Sequence, residues 1–502
     1  MTLETILTVD AGTSRLKAAV YNTSGDQLAF AARRMTVLHP FDGACEMDMR
    51  TVWDALVEVC FELAETAPEA WNALTAVAIS GQGDGLWPVD AAGEPVGNAI
   101  LWNDTRCKRL DLPNETQITA FGMAHSTSPL FVGAPTFILR WMQVFEPARF
   151  ARVRHALHCK DWLVYRLTGR IMTDRSDAST ALMNILKDGY EFDLLGLLGL
   201  PAATAQVFPE IVGSMEMVGS IGPAAAAACR LRSGLPVMAG ALDVAAATFG
   251  AGARQPGDAV TILGTTFSNQ VILSAGQVSH ADVAGSTLCY LYPDTFMRVL
   301  ATTNGASVID WARKTFLPDL PLAEIENGLT EVAAGAEGIF FQPYLNGERA
   351  PFRESRAAGA FHGITPRHNA YHLMRAVFEG LAYSLKDCYT HLPAGETPVI
   401  LAGGASASKT LCQTCADALQ RPMLRVPEQE FGLYGMACAL LETLGRTPVQ
   451  PAALTHGELF TPREEAAALY QAGFEIYRQL RQSAMAFWQA RDQFLGRLPG
   501  SE

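Results

Sequence analysis

One short pattern occurs twice in this chain, once at the head of each half. An apolar run, Ile6 to Val9, ends in Asp10-Ala11-Gly12-Thr13-Ser14 and is followed by a second apolar run, Leu16 to Tyr21. Much later, Ala259 to Leu263 ends in Gly264-Thr265-Thr266 and is followed by Phe267 to Leu273. Two apolar runs joined by a few small polar residues with a glycine read as an antiparallel hairpin. A matching hairpin at the head of each half predicts a duplicated unit, with the boundary near residues 245 to 255. With 502 residues the chain is long enough for each half to bury its own core.

The stretches after the first hairpin fix the fold class. After a turn at Asn22-Thr23-Ser24-Gly25-Asp26, Trp53, Leu56, Val57, Cys60 and Phe61 recur at helical spacing, and Asp48 is placed to cap that helix. Ala76 to Ile79 is a short buried strand running into Ser80-Gly81-Gln82-Gly83-Asp84-Gly85. In the second half Val399 to Leu401 runs into Ala402-Gly403-Gly404-Ala405-Ser406 and then a helical stretch. Hairpin, helix and strand in that order predict an α/β fold, a mixed sheet covered by helices. Thr461-Pro462-Arg463-Glu464 offers a capping hydroxyl and a proline at the first helical position. A last helix is expected there, with Tyr470, Phe474, Tyr477, Leu480, Ala484 and Phe487 on one apolar face.

Several classes of function are excluded at this stage. Hydrophobic residues make up 49% of the chain and charged residues 18%, so it is no disordered protein. A net charge of −13 with no basic run lacks the footprint of a nucleic-acid binder. Ala259 to Ser279, the longest uncharged run, is broken by polar residues and is no membrane span. Met1-Thr2-Leu3-Glu4-Thr5 has no basic leader, and ten cysteines are ordinary usage for a reduced compartment, so a cytoplasmic protein is expected. Cys412-Gln413-Thr414-Cys415 has no second pair nearby and reads as two buried thiols on a helix face. GxxxxGK[ST], GxGxxG between strand and helix, and GxSxG are all missing.

What remains is chemistry at turns. Gly12-Thr13-Ser14 and Gly264-Thr265-Thr266 each let backbone N–H groups converge beside a hydroxyl, so the pair could grip nucleotide phosphates from two sides. Taken singly, each reads as an ordinary β-turn, and Asp10 shifts that reading. Asp10 directly before the first turn would repel phosphates unless a cation such as Mg²⁺ lay between them. Lys17 either adds positive charge or is solvated. Asp243 lies alone in Met238 to Ala247, a run with no other charge. Burial there would raise its pKa and suit it to accept a proton, and it is also placed to cap the Ala-rich helix that follows.

Longer motifs carry a resemblance. Gly359-x-Phe361-x-Gly363-Ile364, followed after seven residues by His372-Leu373-x-x-Ala376-Val377-Phe378-Glu379-Gly380, resembles the C-terminal signature of the FGGY family of carbohydrate kinases. Ile100 to Arg106, Lys160-Asp161-Trp162-Leu163, Asp174-x-Ser176-Asp177-Ala178-Ser179 and Pro343 to Pro351 are also similar to that family, nearest to its xylulokinase branch. The resemblance implies two actin-like (ribonuclease H-like) domains closing on a catalytic cleft. Residues 1–248 would form the sugar-binding domain, and residues 249–502 the ATP-binding domain ending in the long helix. It places Asp10 at the metal and Gly12, Thr13, Ser14 and Lys17 on the first phosphate motif. Gly264, Thr265 and Thr266 fall on the second, Gly403, Gly404 and Ala405 on the adenosine motif, and Asp243 on the catalytic base. Gln82, Gly83, Asp84 and Trp102 fall at the sugar.

The expectation is ATP- and Mg²⁺-dependent phosphorylation of a small sugar, first a ketopentose such as xylulose, by a protein that could form a homodimer and needs no membrane or nucleic acid. Gln82-Gly83-Asp84-Gly85 departs from the branch's Gln-Met-His-Gly, and Val244 stands where Asn or Gln usually follows the base. Both departures leave the substrate open among erythritol, glycerol, ribulose and gluconate. A non-kinase actin-like ATPase and a sugar sensor are the rival readings.

Overall fold

A computed structural model describes residues 4–112, 114–128, 131–279, 285–427, 429–446 and 457–498. Met1 to Leu3, on which the reading of a leader-free start partly rests, lie outside the described residues.

The first hairpin is β1 (Thr5–Ala11) and β2 (Arg15–Asn22), continued by β3 (Gln27–Arg34). Helix α1 (Met49–Thr66) crosses back, with the Asp48 side chain accepting the Arg50 N–H as cap, and leads to β4 (Leu74–Gly81), parallel to β1. With β5 (Met217–Ser220) and β6 (Pro236–Met238) these form one sheet in the order β5-β6-β4-β1-β2-β3. The second half repeats the plan. An antiparallel hairpin, β7 (Ala259–Leu263) and β8 (Phe267–Ser274), is joined by β9 (Ser286–Cys289) and β10 (Thr295–Ala301). Then β11 (Val399–Ala402) and β12 (Met423–Arg425) run parallel to β7, and β13 (Glu458–Phe460) closes the edge. The order is β9-β10-β8-β7-β11-β12-β13.

The central strands are apolar on both faces, because each sheet is covered on both sides. Leu7 and Val9 of β1, with Val77 and Ile79 of β4, pack against α1 and against α2 (Cys159–Thr168). The alternate residues Ile6, Ala76 and Ala78 face the other way. There they meet α3 (Asp243–Ala251) and α7 (Phe431–Thr443), which lie in a core shared with Val260, Ile272 and Ile400 of the second sheet. The far face of the second sheet packs on α5 (Ala370–Tyr389) and α6 (Lys409–Leu419). Helix α4 (Ala306–Phe316) follows β10. Cys412 and Cys415 are both buried on α6, as expected, and no disulfide occurs among the described residues.

The two inner helices touch backbone to backbone. A Cβ on Gly250 would stand 2.0 Å from the Phe431 carbonyl oxygen, and one on Gly435 would stand 2.0 Å from that of Ala246. Only glycine admits this approach. The expected boundary between residues 248 and 249 falls inside α3. Elsewhere the halves are tied by Thr127 Oγ1 donating to Thr287 Oγ1 (2.6 Å) and Thr287 N–H donating to Ser128 Oγ (2.8 Å).

The last helix, α8 (Glu464–Leu495), corrects two expectations. Thr461 does not cap it; the residue before its first turn is Arg463. The buried Asp417 carboxylate of α6 accepts the Arg463 N–H at 2.8 Å and its guanidinium at 2.9 and 2.6 Å, so a tertiary partner sets the start. Phe487 is 59% exposed and not on the apolar face, while Trp488 beside it is buried. The buried stripe runs Tyr470, Phe474, Tyr477 and on to Trp488.

Candidate active site

The first turn is closed by the Gly12 N–H donating to the Arg15 carbonyl (3.0 Å). Asp10 ends β1 beside Ser80 of the parallel strand β4, and the Ser80 hydroxyl donates to its Oδ1 at 3.1 Å. Burial holds the Asp10 pKa above the ordinary carboxylate value, partly offset by Lys17. Lys17 faces Asp10 across the hairpin, but its ammonium is bound to Glu430 at 2.6 Å and stands 4.0 Å from Asp10. Its side chain is partly exposed, and its charge is paired with a carboxylate of the second half. Glu430 precedes α7, and a Cβ on Gly432 in the first turn of that helix would stand 3.3 Å from the Asp10 carboxylate. The glycine therefore preserves a small space at this carboxylate, where an oxygen-ligated divalent cation fits by donor type. Asp10 would hold it.

Thr13, Gln82 and Trp102 are joined side chain to side chain. The Trp102 Nε1–H donates to Thr13 Oγ1 (3.1 Å), and Thr13 Oγ1 donates to Gln82 Oε1 (2.9 Å). Trp102 is 39% exposed, while the buried Gln82 Nε2 has no partner. Ser14 is exposed at the turn. Gly83 has no room for a side chain, because Leu242 Cδ1 occupies the position a Cβ would point to, at 1.9 Å. Asp84 adopts φ 51°, its buried Oδ1 lacks a partner, and burial pushes its pKa up to about 6.

Asp243 is the first residue of α3 and half-buried. Leu242 occupies the cap position, and Asp243 Oδ1 accepts the N–H of its neighbour Val244 at 2.6 Å, so the carboxylate serves its own first turn. Burial first, then the negative charges of Asp10, Asp177 and Asp84, push its pKa up to about 7. Carboxylates from four separate segments thus converge on one region.

A buried charge network braces that corner. The Lys160 ammonium on α2 sits 2.6 Å from Asp161, 2.7 Å from Asp174 and 3.1 Å from Asp177. Burial alone would lower its pKa, but the three carboxylates hold it well above the usual value. Asp174 accepts from Ser176 Oγ at 2.6 Å, and Ser176 Oγ accepts the Leu242 N–H at 2.9 Å, one residue before Asp243. His158, Asp161 and Asp177 are close enough to hold a metal ion, but the lysine ammonium already stands against the Asp161 and Asp177 carboxylates. Sequence reasoning singled out these stretches only as motifs and assigned the lysine no role.

The second turn is tied to α4: the Ala306 N–H donates to the Gly264 carbonyl (2.9 Å), and Ser307 Oγ donates to that of Thr265 (2.9 Å). The Thr265 and Thr266 hydroxyls have no partner among the described residues and face outward or half outward. Gly403, at φ 92°, presses on Leu263, where a Cβ would stand 2.9 Å from its carbonyl carbon. A cavity of about 490 Å³ lies between Gly264 and Thr265 on one side and Gly404 and Ala405 on the other, with Ile309 and Phe378 in its wall. That volume and its mix of apolar wall and turn N–H groups suit a nucleotide. Neither Ile309 nor Phe378 was expected at the site: nothing in its local sequence marks Ile309, and Phe378 stood out only as part of the C-terminal signature. A larger cavity of about 790 Å³ opens between the halves from Asp84 to Arg349 and Arg353.

The chain resembles known proteins over nearly its whole length. The model of the FGGY family of carbohydrate kinases, N-terminal domain, matches residues 5–250, and that of the C-terminal domain matches residues 242–441. The chain is 30% identical to an erythritol kinase from Brucella abortus, covering 96% of this chain and 97% of that one. It is 27% identical to a xylulose kinase from Bacillus subtilis, covering 95% and 96%. Among solved structures, a xylulose kinase from Lactobacillus acidophilus superposes with a TM-score of 0.88 at 23% identity, over 97% of this chain and all of that one. A Brucella ovis structure described as a xyloylose kinase gives 0.88 at 26% identity, over 96% and 100%.

Proposed function

The chain belongs to the FGGY family of carbohydrate kinases, and from that premise we propose that Asp243 is the general base that activates the acceptor hydroxyl. The protein is a sugar or polyol kinase, a phosphotransferase with an alcohol acceptor and ATP as donor. The observation that carries the assignment of Asp243 is its setting: a carboxylate with one oxygen held by the Val244 N–H, crowded by Asp10, Asp84 and Asp177.

In this reading Oδ2 of Asp243 accepts the hydroxyl proton as the oxygen attacks the terminal phosphorus. Thr13 and Ser14 of the first turn and Thr265 and Thr266 of the second hold the phosphates from opposite halves, and Gly403, Gly404 and Ala405 border the adenosine. A magnesium ion bound with ATP would neutralise charge on the phosphates, and Asp10 is the residue that would hold it. Lys17 keeps Glu430 at the mouth of that site. Gln82, Asp84 and Trp102 orient the acceptor. Closing the two halves over the cleft excludes water, which would otherwise compete as acceptor. Residues 1–248 then bind the acceptor, residues 249–502 bind ATP, and a cytoplasmic homodimer is part of the same reading. Among the described residues no helix is long and apolar enough to cross a membrane.

The finer reading of the substrate is a small open-chain polyhydroxy compound. A ketopentose fits the xylulose kinase relative, and a linear tetritol fits the erythritol kinase relative. Asp84, with an unpartnered oxygen, is suited to accept hydrogen bonds from its hydroxyls. Asp84→Ala is expected to raise KM for the acceptor about tenfold or more while KM for ATP stays near the native value. Steady-state ADP release over a panel of pentuloses, hexuloses, aldonates and polyols checks this. Unchanged acceptor KM across the panel removes Asp84 from the site.

The pH profile tests the base. Only the deprotonated form of Asp243 can take a proton, and its pKa is near 7. The expected kcat/KM therefore falls with unit slope below about pH 7 and levels off above it. A profile flat down to pH 5 excludes Asp243 as a base of that pKa.

A further inference from the structure

Around the cavity of about 790 Å³ between the halves, the charges do not balance locally. Its second-half wall carries Arg349, Arg353 and Arg356, and its first-half wall carries Lys108. The carboxylates on that wall are already committed. Glu354 is bound twice by the Arg356 guanidinium, at 2.8 and 2.7 Å. Glu348 accepts the N–H groups of Thr303 (2.7 Å) and Arg349 (2.9 Å). Arg349 spends only its Nε–H, on the Ala301 carbonyl at 2.8 Å. Among the described residues, Arg353 and Lys108 have neither ion pair nor side-chain hydrogen bond, and Arg349 makes no salt bridge, the nearby Glu348 offsetting its loss of hydration only in part. These cations face one another across a cleft in a protein of net charge −13. Loss of hydration in the cleft pushes the pKa values of Arg349 and Arg353 down, which an anion would reverse.

On the first-half side the same cavity is also lined by Asp84, which with Asp177 and Asp10 acts on Asp243 and makes that region repel anions. A ligand reaching from Asp84 to the second-half wall is therefore offered a hydroxyl acceptor on one side and guanidinium donors on the other.

We propose that the acceptor carries an anionic group, a carboxylate or a phosphate, at the end opposite the hydroxyl that is phosphorylated, and that Lys108, Arg349 and Arg353 bind it. The inference rests on the kinase reading above and narrows its substrate class: a polyhydroxy acid or a polyol monophosphate in preference to a neutral ketopentose or polyol. The cavity volume accommodates a chain of five or six carbons with such a group. Charge-assisted, forked contacts from two arginines favour a planar carboxylate or a phosphate equally, so chemistry must separate them.

The experiment compares acceptors of matched length: a pentitol, a ketopentose, the corresponding pentonate, and a pentitol monophosphate. Each is assayed for ADP release with Mg-ATP and titrated calorimetrically onto the protein. A kcat/KM for the pentonate or the monophosphate roughly tenfold or more above the neutral compounds is expected. The better of the two identifies the anion. Arg353→Gln and Lys108→Gln should each lower the ratio of anionic to neutral efficiency several-fold, and added salt should lower it in the native protein. Neutral acceptors used as well as anionic ones, or a ratio unmoved by both variants, overturns the inference. So does an effect of the variants confined to KM for ATP, which would make these cations part of the nucleotide site. Calorimetry separates the two readings. An anion preference in binding without ADP release sinks the kinase assignment alone, and turnover without preference sinks the anion subsite alone.

Discussion

Asp243→Asn is expected to lower kcat by about 10²- to 10⁴-fold, the range for removing a positioned general base. Asparagine keeps the shape, and its Oδ1 can still accept the Val244 N–H that Asp243 accepts at 2.6 Å. Helix α3 should therefore start as before. Asp243 is not itself among the proposed nucleotide contacts, so ATP affinity should be nearly unchanged. Stability provides the control. A carboxyl whose pKa rises from 3.8 unfolded to about 7 folded is protonated in the folded protein over a range where the unfolded chain is already ionised. That mismatch disfavours folding increasingly between about pH 4 and pH 7 and stays constant above. The asparagine variant escapes it, so it should melt no lower than the native protein at pH 8. Loss of activity at an equal or higher melting temperature then reports chemistry, whereas near-native turnover excludes the base assignment.

The second large effect concerns a residue outside the cleft. Lys160→Met replaces a buried ammonium that touches Asp161, Asp174 and Asp177 within 3.1 Å. Removing one partner of a buried ion network leaves its charges uncompensated, at a cost of about 3–5 kcal/mol. The first half should unfold at markedly lower urea concentration. The variant also loosens Asp174, hence Ser176 and the Leu242 N–H it holds at 2.9 Å, so kcat of whatever folds should fall as well. Adding Asp177→Asn to Lys160→Met removes one of the stranded charges and should recover part of the stability. A loss below about 1 kcal/mol, the scale of an exposed pair, would show that the network is hydrated and does not brace the corner.

How much of this was legible in the sequence depends on the range of the interactions. Both hairpins and the Asp48 cap are local, encoded by glycine, hydroxyls and apolar alternation over a few residues. Asp243 stood out because it is the lone charge in an apolar run. The Lys160 network was not legible, because its members come from separate stretches and a lysine beside an aspartate reads as surface. Arg349 and Arg353 face Lys108 only once the halves are assembled, so their shared cavity has no signature in either half alone. The start of the last helix was misread at Thr461 because the deciding partner, Asp417, is on another helix. Phe487 was misread because the stripe shifts by one residue, placing Trp488 inward. The apparent freedom of Lys17 disappeared for the same reason: Glu430 belongs to the other half of the chain.

The most direct test of the central claim is a crystal structure with a non-hydrolysable ATP analogue, Mg²⁺ and an acceptor established by the assay panel. The quantity to read is the distance from the Asp243 carboxylate to the acceptor oxygen nearest the terminal phosphorus. About 3 Å, with that oxygen in line with the phosphorus, is the predicted result. An acceptor oxygen whose nearest carboxylate is Asp84 or Asp10, with Asp243 beyond hydrogen-bonding reach, would contradict the account.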